Sequence, residues 1–192
     1  MSTGAIIAIV IIIALIVVAA AAVPQLRRAR MRRQFGPEYD RLAKELGSKK
    51  AGAELSARQR RADEMGIHPL SSEQQASYSD DWTKIQERFV DAPAEAVSAA
   101  DTLIWDVMAA RGYPASDRDA SMEALSVYHA GPLQGYRKMH EVNLESATTE
   151  NLRQALINCR ALFEALLGAP SGALNRRELT TRSGARAAGT AR

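Results

Sequence analysis

The sequence predicts an all-α protein with an N-terminal transmembrane helix, a basic helical neck, a small antiparallel helical bundle and a disordered C-terminal tail. Three observations carry that prediction. Residues Gly4 to Val23 form an unbroken apolar run of 20 residues. Five arginines, Arg27, Arg28, Arg30, Arg32 and Arg33, come almost directly after it. Between Tyr78 and Leu167, apolar residues recur at the spacing of one helix face, and no comparable stretch alternates with the period of a strand. The segments are an anchor at 1–24, a neck at 25–69, a helical domain at 70–168 and a tail at 169–192.

At about 1.5 Å rise per residue the apolar run reaches roughly 30 Å, the hydrocarbon thickness of a bilayer. It carries no charge and no strong hydrogen-bonding side chain, so a helix that satisfies its own backbone is its natural state in lipid. A secretory signal peptide has a positive start, a core of about 7–15 apolar residues and a small-residue cleavage site. Here Met1, Ser2 and Thr3 offer only the α-amino charge and the core is longer, although Ala19 to Ala22 imitate a cleavage site. The reading is an uncleaved anchor. Positive charge resists translocation and flanks the run on its C-terminal side only. This predicts a single-pass protein of the cell membrane with residues 25–192 in the cytoplasm. The one cysteine, Cys159, fits a reducing compartment and reads as a small buried hydrophobe.

The net charge of +3 hides a segregation. Gln25 to Arg61 holds 12 Lys/Arg against 4 Asp/Glu, Ala62 to Gly168 holds 8 against 17, and Ala169 to Arg192 holds 5 against 1. A basic neck, an acidic body and a basic tail are three segments with different surroundings. Phe35-Gly36-Pro37 breaks the neck helix, because proline lacks a donor and biases its predecessor away from α geometry. Pro37 then suits the first turn of a new helix, with Glu38 and Asp40 near its positive end. Gly47-Ser48 separates this from a helix running to about Met65, closed by Gly66 and Pro69. That helix has few large apolar residues and is expected to ride on the surface or along the membrane.

The body is more strongly patterned. Ser72 with Gln75 forms a candidate capping box, and Tyr78, Trp82, Ile85 and Phe89 share a face of the helix it opens. Asp91 before Pro93 starts the next helix, whose stripe is Val97, Ala100, Leu103, Ile104, Val107 and Met108, ending at Gly112-Tyr113-Pro114. Ser116 and Gly131-Pro132 open two shorter helices containing Met122, Leu125, Tyr136, Met139, Val142 and Leu144. Thr148 caps the last helix, where Leu152, Leu156, Cys159, Leu162, Phe163, Leu166 and Leu167 form a stripe up to Gly168. About 100 residues in five helices can bury one adequate core. Beyond Pro170 the chain is Gly, Ala, Ser, Thr and Arg without periodicity, which reads as disorder.

The residues give little catalytic chemistry. His140-Glu141 begins a zinc-protease helix, but Leu144 stands where the second histidine must be. His68, His129 and His140 lack ligand spacing, and capping or surface roles are expected of them. Gly131 and Gly135 read as punctuation at a helix start. There is no phosphate loop, nucleophile elbow or Cys-x-x-Cys pair, so no catalytic residue, metal site or cofactor is assigned. Asp80-Asp81 reads as solvated surface, and Trp82 and Trp105 as core residues.

Several stretches together resemble a family of bacterial proteins with one N-terminal span and a small soluble helical domain. They are Phe35-Gly36-Pro37-Glu38-Tyr39-Asp40-Arg41, Arg88-Phe89-Val90-Asp91-Ala92-Pro93, Arg111-Gly112-Tyr113-Pro114, Thr149-Glu150-Asn151-Leu152-Arg153-Gln154-Ala155 and Arg160-Ala161-Leu162-Phe163. The resemblance covers roughly residues 1–168, implies the same architecture and implies no activity.

The functional expectation is a membrane-tethered, non-enzymatic helical interaction module, with the lipid bilayer and another protein as its partners. Arg27, Arg28, Arg30, Arg32 and Arg33 are the candidate contacts with anionic lipid, at about 1 kcal/mol for each Lys/Arg near the surface. Nucleic acid is not expected, because the basic residues lack interleaved aromatics and the body is acidic. The alternatives are an enzyme whose site is assembled from scattered residues of the body, or an exported helical protein.

Overall fold

The computed structural model describes residues 3–168, without the side chains of residues 3–21, Pro24 and Arg27. Among the described residues the chain forms seven helices and no strand. It divides into two compact units, Met1–Leu55 and Ser56–Arg192. No described helix is long and apolar enough to cross a membrane. The predicted span Gly4–Val23 falls, except for its last two residues, on side chains outside the description, as does the predicted tail at 169–192.

The first unit is built on α1 (Thr3–Leu46), whose helical ladder is broken at Gly36, φ 48° and ψ −127°. The expected interruption is therefore a kink inside one element. Glycine tolerates this geometry because it has no Cβ, and Pro37 disfavours the α alternative for the residue before it. Arg32 and Asp40 bridge the kink with a 2.6 Å Nε–Oδ1 contact. Phe35, Glu38, Tyr39 and Leu42 are buried at helical spacing, and Arg41 closes over Glu38 with Nη2 2.6 Å from Oε1. Gly47, at φ 81°, separates α1 from α2 (Ser48–Glu64).

The expectation that α2 rides on the surface fails, because Ala51, Leu55 and Ala62 are all buried. A Cβ at Gly52 would stand 4.0 Å from Met31 Cγ, an ordinary contact with an α1 side chain. Burial is expected of helices with many large apolar side chains, whereas one leucine, Leu55, with Ala51 and Ala62 suffices to bury residues of this helix. Residues 56–69, placed in the neck by the sequence reading, lie in the second unit.

That unit contains the end of α2 and α3 (Ser72–Arg88), α4 (Pro93–Ala110), α5 (Arg118–Tyr128), α6 (Ala130–His140) and α7 (Thr149–Leu167). α7 packs on α4 and α6, α3 packs on α4, and α5 on α6. The predicted stripes meet in one core. Trp82 and Ile85 of α3, the six apolar residues expected of α4, Leu125 of α5, Tyr136 and Met139 of α6, and Leu152, Cys159, Leu162, Phe163 and Leu166 of α7 are buried together. Trp82 stacks on Phe163 with ring centroids 4.7 Å apart.

Helix boundaries shift by a residue or two from the expectations. The capping box of α3 uses Ser71 and Gln74, because Ser71-Ser72 and Gln74-Gln75 offer the same pattern in two registers. Asp91 makes no cap for α4; Ala92 occupies that position and Pro93 opens the helix. Asp117 caps α5 in place of Ser116, accepting from the Ala120 N–H. Thr148 caps α7 as expected. α6 ends at His140, which leaves Val142 and Leu144 in the turn after it. Gly135 lies inside α6, and a Cβ there would lie 2.9 Å from Asn158 Oδ1, so α6 leaves no room for a side chain against α7 at this point.

Candidate functional site

Arg27, Arg28, Arg30, Arg32 and Arg33 all lie on α1. At about 100° per residue their positions fall on every side of the helix, within roughly 9 Å along its axis. Arg28, Arg30, Arg32 and Arg33 are exposed; the side chain of Arg27 lies outside the description. The pair between Arg32 and Asp40 is open to solvent, so water screens it and the arginine keeps access to other anions. The arrangement is a collar and not a stripe. A helix lying flat on a bilayer needs one charged face and one apolar face, whereas a collar suits a helix that passes through a charged layer end-on.

In the second unit, three side chains from two helices converge on Asp101 of α4. The buried Tyr136 of α6 donates its phenol to Asp101 Oδ1. His140, one turn later, places Nε2 3.3 Å from the same oxygen. Arg118, at the start of α5, reaches to 4.0 Å of Oδ2 while its guanidinium covers the Trp105 ring at 4.6 Å. Burial pushes the Asp101 carboxyl up, but hydrogen bonds from His140 and Tyr136 and the charges of His140 and Arg118 outweigh it, leaving Asp101 below its ordinary value. Burial, then the bond to Asp101, raises the Tyr136 phenol far above its ordinary value.

A carboxylate-held imidazole can exchange protons, yet a nucleophilic mechanism also needs an accessible nucleophile. The nearby sulfur, Cys159, is fully buried, and burial with the charge of Asp101 pushes its thiol up to about 12. It is a core hydrophobe, as expected. Among the described residues no group of three His, Cys, Asp or Glu is placed to hold a metal ion.

A second polar group is built around Arg111, the C-cap of α4. Here Gly112 takes φ 89°, and the N–H groups of Gly112 and Tyr113 return to the carbonyls of Ala109 and Met108, both at 3.0 Å. This turn sends the Arg111 side chain inward, where it has no exposed surface. Its Nη1 donates to the carbonyls of Leu166 and Gly168 at the end of α7, and its Nε to that of His68 at 3.3 Å. The His68 N–H in turn donates to the Arg111 carbonyl at 2.9 Å. One arginine thus fastens the loop before α3 and the end of α7 to the end of α4.

Sequence reasoning missed both clusters. Tyr136 and His140 are one turn apart, a legible spacing, and Asp101 is a charge beside an apolar stripe. Nothing in the sequence joins them across 35 residues between Asp101 and Tyr136. His129, expected at a cap or on the surface, is buried where α5 meets α6 and makes no side-chain cap. No family model, curated protein or solved structure matches the chain.

Proposed function

We propose that the protein is a single-pass, membrane-anchored helical module of the cell membrane, held by the apolar run Gly4–Val23, with its helical body on the cytoplasmic side as a non-enzymatic docking domain. The arginine collar supports this reading most directly. It begins four residues after the apolar run and surrounds the helix over roughly 9 Å, comparable to the headgroup layer of one leaflet at about 5–8 Å. Positive charge in that layer opposes translocation of the residues beyond it and attracts anionic headgroups at about 1 kcal/mol per residue. The acidic body favours a partner with basic chemistry.

The test uses the full chain expressed in bacterial cells. It stays in the membrane fraction through an alkaline carbonate wash, and a reporter fused after its last residue is active only in a reducing interior. Replacing Arg27, Arg28, Arg30, Arg32 and Arg33 together by Gln produces mixed orientation and weaker retention of anionic lipid on purification. Release by carbonate rejects the anchor. A wild-type reporter active only outside rejects the orientation, and unchanged lipid retention rejects the headgroup contact.

A further inference from the structure

The second half of α2, residues 56–64, is joined to α5 by polar side chains. Arg58 and Arg61 are three residues apart and share a face of α2. Both reach Glu123 of α5: Arg61 Nη2 stands 2.7 Å from Oε2, and Arg58 Nε stands 3.8 Å from Oε1. Arg58 Nη1 also donates to the Ser126 hydroxyl at 3.3 Å. That hydroxyl is turned to accept, because it donates its own proton to the Glu123 carbonyl at 2.6 Å. At Asp63 the polarity reverses: its Oδ1 accepts from the Tyr128 phenol of α5 at 2.8 Å and from Gln59 Nε2 at 3.0 Å.

Apolar burial adds little to this attachment. Of residues 56–64 only Ala62 is buried, and it offers one methyl group to the core. The central ion pair is open to water, with the Arg61 side chain 48% and the Glu123 side chain 33% exposed. Salt screens exposed pairs of this kind. The Debye length falls from about 10 Å at 0.1 M to about 3 Å at 1 M, where it matches the length of the contacts themselves.

The chain beyond the segment supplies a pivot and a fixed point. Gly66 takes φ 68°, and nothing lies within 4 Å of the position a Cβ would occupy there. Two residues on, His68 is bonded to Arg111 through both its N–H and its carbonyl, which fastens it to the end of α4.

We infer that residues 56–64 form a salt-sensitive electrostatic latch on α5, with Glu123 as the catch and Gly66 as the hinge, that opens as a unit while the core helices stay folded. Few buried apolar groups and solvent-exposed contacts are the properties of segments that open locally. Closed, the latch occupies Glu123, Ser126 and Tyr128; open, it presents a carboxylate and two hydroxyls on α5. The ionic surroundings of the protein set how often that face is uncovered.

The experiment is amide hydrogen exchange of the full chain in nonionic detergent, read by mass spectrometry at pH 7 in 0.1 M and 1 M sodium chloride. The expected result is exchange of residues 56–64 about fivefold faster at the higher salt, with α4 and α7 exchanging at equal rates in both. Glu123→Gln keeps the shape of the side chain and removes its charge. In 0.1 M salt it quickens exchange of residues 56–64 about fivefold and abolishes their response to salt. Tyr128→Phe also quickens the segment but leaves the salt response intact, because both arginines and Glu123 remain. Exchange of residues 56–64 that equals that of α7 at both salt concentrations overturns the independent opening. A salt response that survives in Glu123→Gln overturns the catch, and one that disappears in Tyr128→Phe overturns the ion pair as its source.

Discussion

Tyr136 ties α6 to α4 through Asp101: a fully buried phenol donates to a carboxylate that His140 and Arg118 also approach. The carboxylate is held ionised by these partners, so the contact has a defined dependence on pH. Asp101 titrates lower in the folded protein than in the unfolded chain. Its contribution is complete above the unfolded value of about 3.9 and is lost as pH falls through the folded one. Asp101→Asn is expected to cost about 1–2 kcal/mol at pH 7, with the gap to wild type closing as pH drops below about 4. Urea unfolding across pH 3–7 measures it. A gap that widens in acid would reverse the assigned sign.

Phe163 joins the core of α7 to Trp82 of α3 by a near-parallel stack. Replacement by Ala removes a buried ring and leaves a cavity, so a loss of about 3–5 kcal/mol is expected. Tryptophan emission should shift as the Trp82 surroundings loosen. A loss below about 1 kcal/mol would mean that the site collapses freely and that the stack contributes little.

Gly36 is strained for any other residue by its backbone alone, since a Cβ there meets nothing within 4 Å. Pro37 disfavours the helical alternative at the same position. Gly36→Ala should destabilise the first unit by about 1–3 kcal/mol. Amide exchange of residues 38–46 would quicken while that of α7 stays unchanged. Protection equal to wild type would show that the kink accommodates a side chain without strain.

Cys159 should be inert in the folded protein, because it is buried and its thiol is raised to about 12. Alkylation by iodoacetamide is expected to track the unfolding of α7 and to become rapid only in denaturant. Fast labelling under native conditions would contradict its place in the core.

Helical periodicity alone was enough to locate the five helices of the body and most of their core residues, since a stripe such as Val97, Leu103, Ile104 and Val107 has only one face to bury. Caps were less certain where the same chemistry was repeated, as at Ser71-Ser72, because one residue of register costs little locally. The burial of α2 escaped a reading based on the number of large side chains, since one leucine, Leu55, is buried together with the small Ala51 and Ala62.

By itself the sequence determined the all-helical class, the apolar run with its five arginines and the segregation of charge, each a local property of consecutive residues. The tertiary structure decided the rest. It brought Asp101 to Tyr136 and His140, turned Arg111 inward to the end of α7, and set Gly135 against Asn158. These relationships depend on which helix faces pack together and how closely. A polar residue beside an apolar stripe has no fixed partner until that packing supplies one.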